Sequence, residues 1–171
     1  MEVRPIAGAL GAEIEGVDLA RPLDAAVTAA IRGALLEHLV IFFRGQKLTP
    51  QRQLDFARAF GEPMAYPQLK GLPECPLITP VVMLEHERVN FGGVWHSDTT
   101  YLERPPMGSM LYAIEVPPCG GDTLFANQYL AYEKLSDGMK KMLGGLRAVH
   151  SDRKVAGPQS NANRGRSTKA R

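Results

Sequence analysis

Residues 93–101 read Gly93-Val94-Trp95-His96-Ser97-Asp98-Thr99-Thr100-Tyr101, and the rest of the chain is interpreted around them. A β-branched and aromatic run after a glycine predicts a strand over Val94 to Tyr101. On a strand alternate side chains share a face, so His96 and Asp98 project together while Ser97 points away. An imidazole nitrogen beside a carboxylate oxygen is a ready pair of metal ligands. The 2-His-1-carboxylate triad uses such a pair with a distant second His and leaves three corners of Fe(II) open. His-X-Asp alone is a short pattern that equally fits a surface His beside a turn Asp.

Outward from this stretch the chain alternates ordered and broken segments. Gly8, Gly11 and Gly16 cut Val3 to Leu19 into short strands and turns. Asp24 can cap a helix running to His38, with Val27, Ala30, Ile31, Ala34 and Leu35 on one face. His38 to Gly45 reads as a buried strand ended by glycine. Thr49-Pro50 is a helix start, with Leu54, Ala57 and Phe60 facing inward and Gly61 at the C-terminal cap. Six prolines and glycines between Glu62 and Pro80 predict a long irregular loop, of the kind that serves as a lid or binding loop.

Further strands are expected at Val81 to Glu85, Met107 to Val116, Asp122 to Ala126 and Leu146 to Ser151, with a turn at Asn90 to Gly93. Short helices are expected at Asn127 to Leu135 and Ser136 to Leu143. Helices first and then strands between Pro/Gly turns is an α+β or mainly β pattern, the strands forming part of a sandwich or barrel.

Composition narrows the function. Of 171 residues 44% are hydrophobic and 22% charged, an ordinary globular mix. The 20 Lys+Arg exceed the 18 Asp+Glu, yet six of those cations follow Asp152, the last acid. Residues 1–152 therefore hold 14 bases against 18 acids, a net of −4. A mildly acidic body is not a nucleic-acid surface, and the basic residues 152–171 read as a flexible loop or tail. The longest apolar run, Leu39 to Phe43, is far below the ~20 residues of a membrane span. Met1 to Leu23 carries four acids and no apolar core of a secretory signal, and two cysteines make no disulfide framework. A reduced, cytoplasmic protein is the expectation.

Several blocks then occur together and in order. They are Gly11-Ala12-Glu13-Ile14 with Gly16-Val17-Asp18-Leu19, and Val40 to Gln46 followed by Thr49-Pro50 and Phe60-Gly61. After the His96 stretch come Arg104-Pro105-Pro106, Pro117 to Phe125, and Gly145 to His150. With these blocks the chain resembles the taurine dioxygenase (TauD/TfdA) family, Fe(II)- and 2-oxoglutarate-dependent oxygenases. The resemblance spans nearly all of residues 1–171, read as one domain.

What the resemblance implies is a double-stranded β-helix, or jelly-roll, core with flanking helices, incomplete in this chain. His96 and Asp98 would be iron ligands, and Thr123 would hold a carboxylate of 2-oxoglutarate, a task suited to a hydroxyl donor. The implied reaction hydroxylates a small, anionic organic substrate with O2, converting 2-oxoglutarate to succinate and CO2. Taurine-specific members carry a His and an Asn where this chain has Tyr66 and Gly92, which points away from taurine. Tyr66, Asn90 and Tyr101 are the candidate substrate residues.

The family's second His ligand and its 2-oxoglutarate-binding Arg belong to a later part of longer chains. His150 matches a block position that is not a ligand, and His86 and His38 read as structural or solvated. The chain is thus expected to be the N-terminal portion of a longer dioxygenase or a truncated product. The alternative is a non-catalytic jelly-roll remnant with a binding or assembly role. A zinc hydrolase lacks its His-Glu-X-X-His ligands. Unpaired strand edges would favour a homo-oligomer. Residues 1–171 alone are expected to form little or no succinate when supplied with Fe(II), ascorbate and 2-oxoglutarate.

Overall fold

The computed structural model describes residues 1–66, 69–82 and 93–152. They divide into two compact units, Met1–Phe60 with Leu111–Arg147, and Gly61–Met110 with the residues from Ala148 on.

The first unit is α+β. β1 (Glu2–Pro5) and β2 (Ala12–Glu15) form an antiparallel pair, and β3 (Ile41–Phe42) lies parallel to β2, giving the order β1-β2-β3. Burial alternates along β2, with Ala12 and Ile14 inward, as a strand with one covered face requires. Arg4 bridges Glu2 and, across the strands, Glu15 at 2.8 Å, an ion-pair set that matches the β1–β2 register.

Each of the four helices among the described residues starts where a side chain satisfies a free amide. α1 (Ala25–His38) is capped by Asp24, whose Oδ1 accepts from the Val27 amide at 2.7 Å. α2 (Pro50–Arg58) has Thr49 as cap and Pro50 in its first turn. Asn127 caps α3 (Gln128–Glu133) and Ser136 caps α4 (Asp137–Leu143) in the same way. α1 packs on β2 and β3 through Ile31, fully buried, and Ala34. Leu54 and Phe56 of α2 are buried, and Phe56 meets the edges of Phe43 and Phe60 at centroid distances of 5.8 and 5.1 Å. Aromatic rings favour such edge-to-face contacts.

The second unit has no helix or strand among its described residues. Turns build it, with Cys75 donating to the Leu72 carbonyl and Ile78 to the Cys75 carbonyl. Gly71 is required there, because a Cβ at that point would collide with the Pro76 carbonyl. Cys75 and Cys119 are free thiols. No helix among the described residues is long and apolar enough to cross a membrane.

Several expectations are corrected. The strand at 38–45 shrinks to β3, because Leu39 turns left-handed (φ 66°) to close α1, its amide bonding the Leu35 carbonyl. Gly61 is no left-handed cap, since α2 ends in a tight turn in which Ala59 donates to the Phe56 carbonyl. Ala30 is exposed, and Phe56 rather than Ala57 is buried. Residues 94–101, 107–116, 122–126 and 146–151 form no strand. Residues 108–126 make no backbone–backbone hydrogen bond with another described residue. A strand exists only when a second strand accepts its amides and carbonyls, and apolar patterning supplies a face but not that partner. Ile114 and Val149 are accordingly 91% and 95% exposed. The described residues are therefore richer in helix than in strand. The strand expected at 81–85 is absent at 81–82, and residues 83–85, the turn at 90–92 and the tail at 153–171 lie outside the described residues.

Replacing Ile31 by Ala should cost about 2–5 kcal/mol, because the side chain is fully enclosed. Leu36→Ala, on the exposed side of α1, should cost under about 0.5 kcal/mol. Urea unfolding of both variants checks this contrast.

Candidate metal centre

Residues 95–97 have no regular structure, and a turn follows at 98–101 in which the Leu102 amide donates to the Thr99 carbonyl at 3.0 Å. The strand expected to align His96 and Asp98 is absent, yet the two side chains do converge. His96 Nε2 lies 3.1 Å from Asp98 Oδ1, with both side chains about half exposed. Thr99 carries the bend with φ 47°, a conformation costing a β-branched residue about 1–3 kcal/mol. It is buried, and its hydroxyl has no hydrogen-bond partner among the described residues.

The chemistry of the pair follows from the other ring nitrogen. His96 Nδ1 lies 2.7 Å from the Val94 carbonyl oxygen. A carbonyl can only accept, so Nδ1 carries the ring proton, and Nε2 of the neutral imidazole presents a lone pair. That lone pair faces a carboxylate oxygen. Two electron-rich atoms at 3.1 Å need a positive charge between them, either a proton on Nε2 or a metal ion.

The spacing fits a metal. Ligands about 2.1 Å from an ion and at right angles stand about 3.0 Å apart. A nitrogen and an oxygen donor together suit a divalent ion such as Fe(II), and a His ligand usually has its other nitrogen bonded as it is here. Among the described residues no group of three or more His, Cys, Asp or Glu could hold a metal ion, so His96 and Asp98 meet as a pair without a third such residue.

Three neighbours shape the pair. Ser109 Oγ donates to Asp98 Oδ2 at 2.7 Å, a contact that the sequence reading missed. The available signal was a hydroxyl within the apolar run 107–116. His150 Nδ1 lies 2.8 Å from Thr100 Oγ1, which engages this His beside the site in a hydrogen bond rather than as a ligand. Tyr66 lies close enough to Tyr101 and Asp98 to feel both. Its phenol is pushed above the ordinary value, first by burial, then by Tyr101 and by the Asp98 charge.

The other expected residues are not part of this contact. Thr123 is exposed and belongs to the first unit, whereas His96 and Asp98 belong to the second. Asn90, Gly92 and His86 lie outside the described residues. His38 ends α1, its carbonyl accepting from the Gly11 amide at 2.8 Å. A cleft of about 390 Å³ in the first unit is lined by Glu13, Glu15, Asp18, Arg44 and Gln46 and contains no residue of the pair.

Comparison with known proteins adds an independent line. The sequence profile described as "Taurine catabolism dioxygenase TauD, TfdA family" matches residues 2–171. An alpha-ketoglutarate-dependent sulfate ester dioxygenase from Pseudomonas putida is 40% identical over 89% of this chain and 50% of its own length. An alkylsulfatase from Acinetobacter baylyi is 37% identical over 94% of this chain and 50% of its own. A taurine dioxygenase crystal structure from Burkholderia xenovorans superposes with a TM-score of 0.74 at 39% identity, covering 87% of this chain and 52% of that one. The chain spans about half the length of the curated relatives it matches.

The raised Tyr66 value has a measurable consequence. The unfolded chain loses this proton near the ordinary value of 10.0, while the folded chain retains it to higher pH. Tyr66 therefore contributes stability below pH 10 that is lost as pH rises through its folded value. In an alkaline titration followed by tyrosinate absorbance, Tyr66→Phe should remove a late-titrating step and flatten the loss of stability.

Proposed function

Because this chain belongs to the TauD/TfdA dioxygenase family, we propose that it acts in an Fe(II)- and 2-oxoglutarate-dependent dioxygenase that hydroxylates a small anionic organic molecule, releasing succinate and CO2. The observation that carries this reading is the His96–Asp98 pair, with Nδ1 bonded to the Val94 carbonyl and Nε2 3.1 Å from Oδ1. When bound there, iron would supply the oxidising chemistry with O2 and 2-oxoglutarate. The names of the two relatives favour an organic sulfate as the anionic substrate.

This chain's residues would do the rest. His96 holds its ring by the bond to Val94 and offers Nε2, and Asp98 offers Oδ1. Thr123 donates its hydroxyl to a carboxylate of 2-oxoglutarate. Tyr66, a neutral phenol well past neutral pH, can donate to an anionic substrate group without repelling it. Tyr101 and Asn90 complete the proposed substrate wall. The remaining ligand and the arginine for 2-oxoglutarate would come from sequence that the longer relatives possess. The jelly-roll core is the finer fold reading, supported by the likeness to the Burkholderia structure.

A second reading, a non-catalytic remnant with a binding or assembly role, draws on the two-ligand count among the described residues. Succinate formation by a dioxygenase of full family length that contains residues 1–171, supplied with Fe(II), ascorbate, 2-oxoglutarate and a panel of alkyl sulfates, sulfonates and carboxylates, separates the two. Substrate-dependent succinate is expected, falling to background in His96→Ala and Asp98→Ala. Turnover that survives His96→Ala would sink the proposal, and no turnover with any substrate would favour the remnant.

A further inference from the structure

Asp98 has two carboxylate oxygens, and the fold gives each a different task. Oδ1 faces His96 Nε2, whereas Oδ2 accepts the Ser109 hydroxyl at 2.7 Å. That length is typical of a charge-assisted O–H···O⁻ bond, roughly twice as strong as a neutral one. Ser109 lies eleven residues away, beyond Pro105-Pro106 and Gly108 but within the same compact unit. The contact is therefore a product of folding, not of local spacing.

We propose that Ser109 is a positioning residue for the metal-binding carboxylate: by occupying Oδ2 it makes Asp98 meet the ion through Oδ1 alone. The inference rests on the metal-centre reading above and extends it. A carboxylate can ligate with one oxygen or with both, and the second mode fills an extra corner. The proposed reaction needs three open corners, two for 2-oxoglutarate and one for O2. A hydroxyl proton on Oδ2 weakens that oxygen as a donor and fixes the plane of the carboxylate. Val94 performs the matching service for His96, fixing the tautomer through Nδ1. Each ligand thus has one atom tied to the protein and one presented to the ion, an arrangement in which the supporting partners set affinity as well as geometry.

The alternative is that Ser109 only ties residues 105–110 to the 98–101 turn. Co(II) titration of a protein of full family length that contains residues 1–171 distinguishes the two, alongside thermal unfolding and the infrared carboxylate stretches of the loaded protein. Wild type and Ser109→Thr, which keeps the hydroxyl, should bind Co(II) alike. Ser109→Ala should bind about tenfold more weakly or worse, with its carboxylate stretches moving from the one-oxygen to the two-oxygen pattern. A purely structural tie would lower the unfolding temperature of Ser109→Ala and leave affinity and stretches unchanged, overturning the proposal. Ser109→Thr behaving like Ser109→Ala would also overturn it, since the hydroxyl would then not be the operative group. If wild type binds no Co(II), or His96→Ala binds it equally well, the metal-centre reading falls and this inference with it. Binding lost in His96→Ala but intact in Ser109→Ala removes the Ser109 role alone.

Discussion

In the second unit an imidazole meets a carboxylate two residues away, and the turn at 98–101 holds them together. The Val94 carbonyl takes the Nδ1 proton of His96, and what remains on Nε2 confronts Asp98 Oδ1 at 3.1 Å. The contact is favourable when a positive charge lies between the two atoms, either a proton on Nε2 or a metal ion. The means are visible in the turn that follows. Thr99 accepts an uncommon conformation and a buried hydroxyl without a partner among the described residues, both of which cost stability. Ser109 and His150 reach the turn from separate stretches of chain and bind Asp98 and Thr100.

The first unit works by other means. Its sheet is small, and its order comes from capped helices, a short aromatic relay through Phe43, Phe56 and Phe60, and side chains that join distant segments. Gln46 is one of these, its amide accepting from Leu19 and donating to the Val17 carbonyl. Tyr112 is another, its hydroxyl bridging the Leu48 amide and the Gln46 carbonyl. Such ties anchor a stretch, 108–126, whose own backbone makes no bonds to other described residues. Apolar side chains along it, Leu111 and Ile114 among them, stay exposed.

Much of this was legible from residues alone, wherever the deciding interaction lies within one turn of chain. Asp24, Thr49 and Ser136 cap the helices that the residues announce, and Asn127 caps α3 where a helix was expected to start, because each side chain needs only an amide three residues ahead. The pairing of His96 with Asp98 was expected for the wrong backbone reason. A strand was expected to align them, while an irregular stretch running into a turn does so instead, since two residues of spacing suffice for a chelating bite in either conformation. The strands downstream were illegible in their outcome. Alternating apolar residues report a preferred face, whereas hydrogen-bonded pairing depends on a second segment that no local pattern contains.

The sequence by itself therefore determined the helix starts, the meeting of His96 with Asp98 and the family to which the chain belongs, because caps, close pairs and motif blocks are written in contiguous residues. Tertiary structure alone decided the β1-β2-β3 order, the burial of Phe56 and the bond from Ser109 to the free oxygen of Asp98. Each of these joins residues whose meeting depends on how the intervening chain closes, a long-range condition that short-range chemistry does not fix.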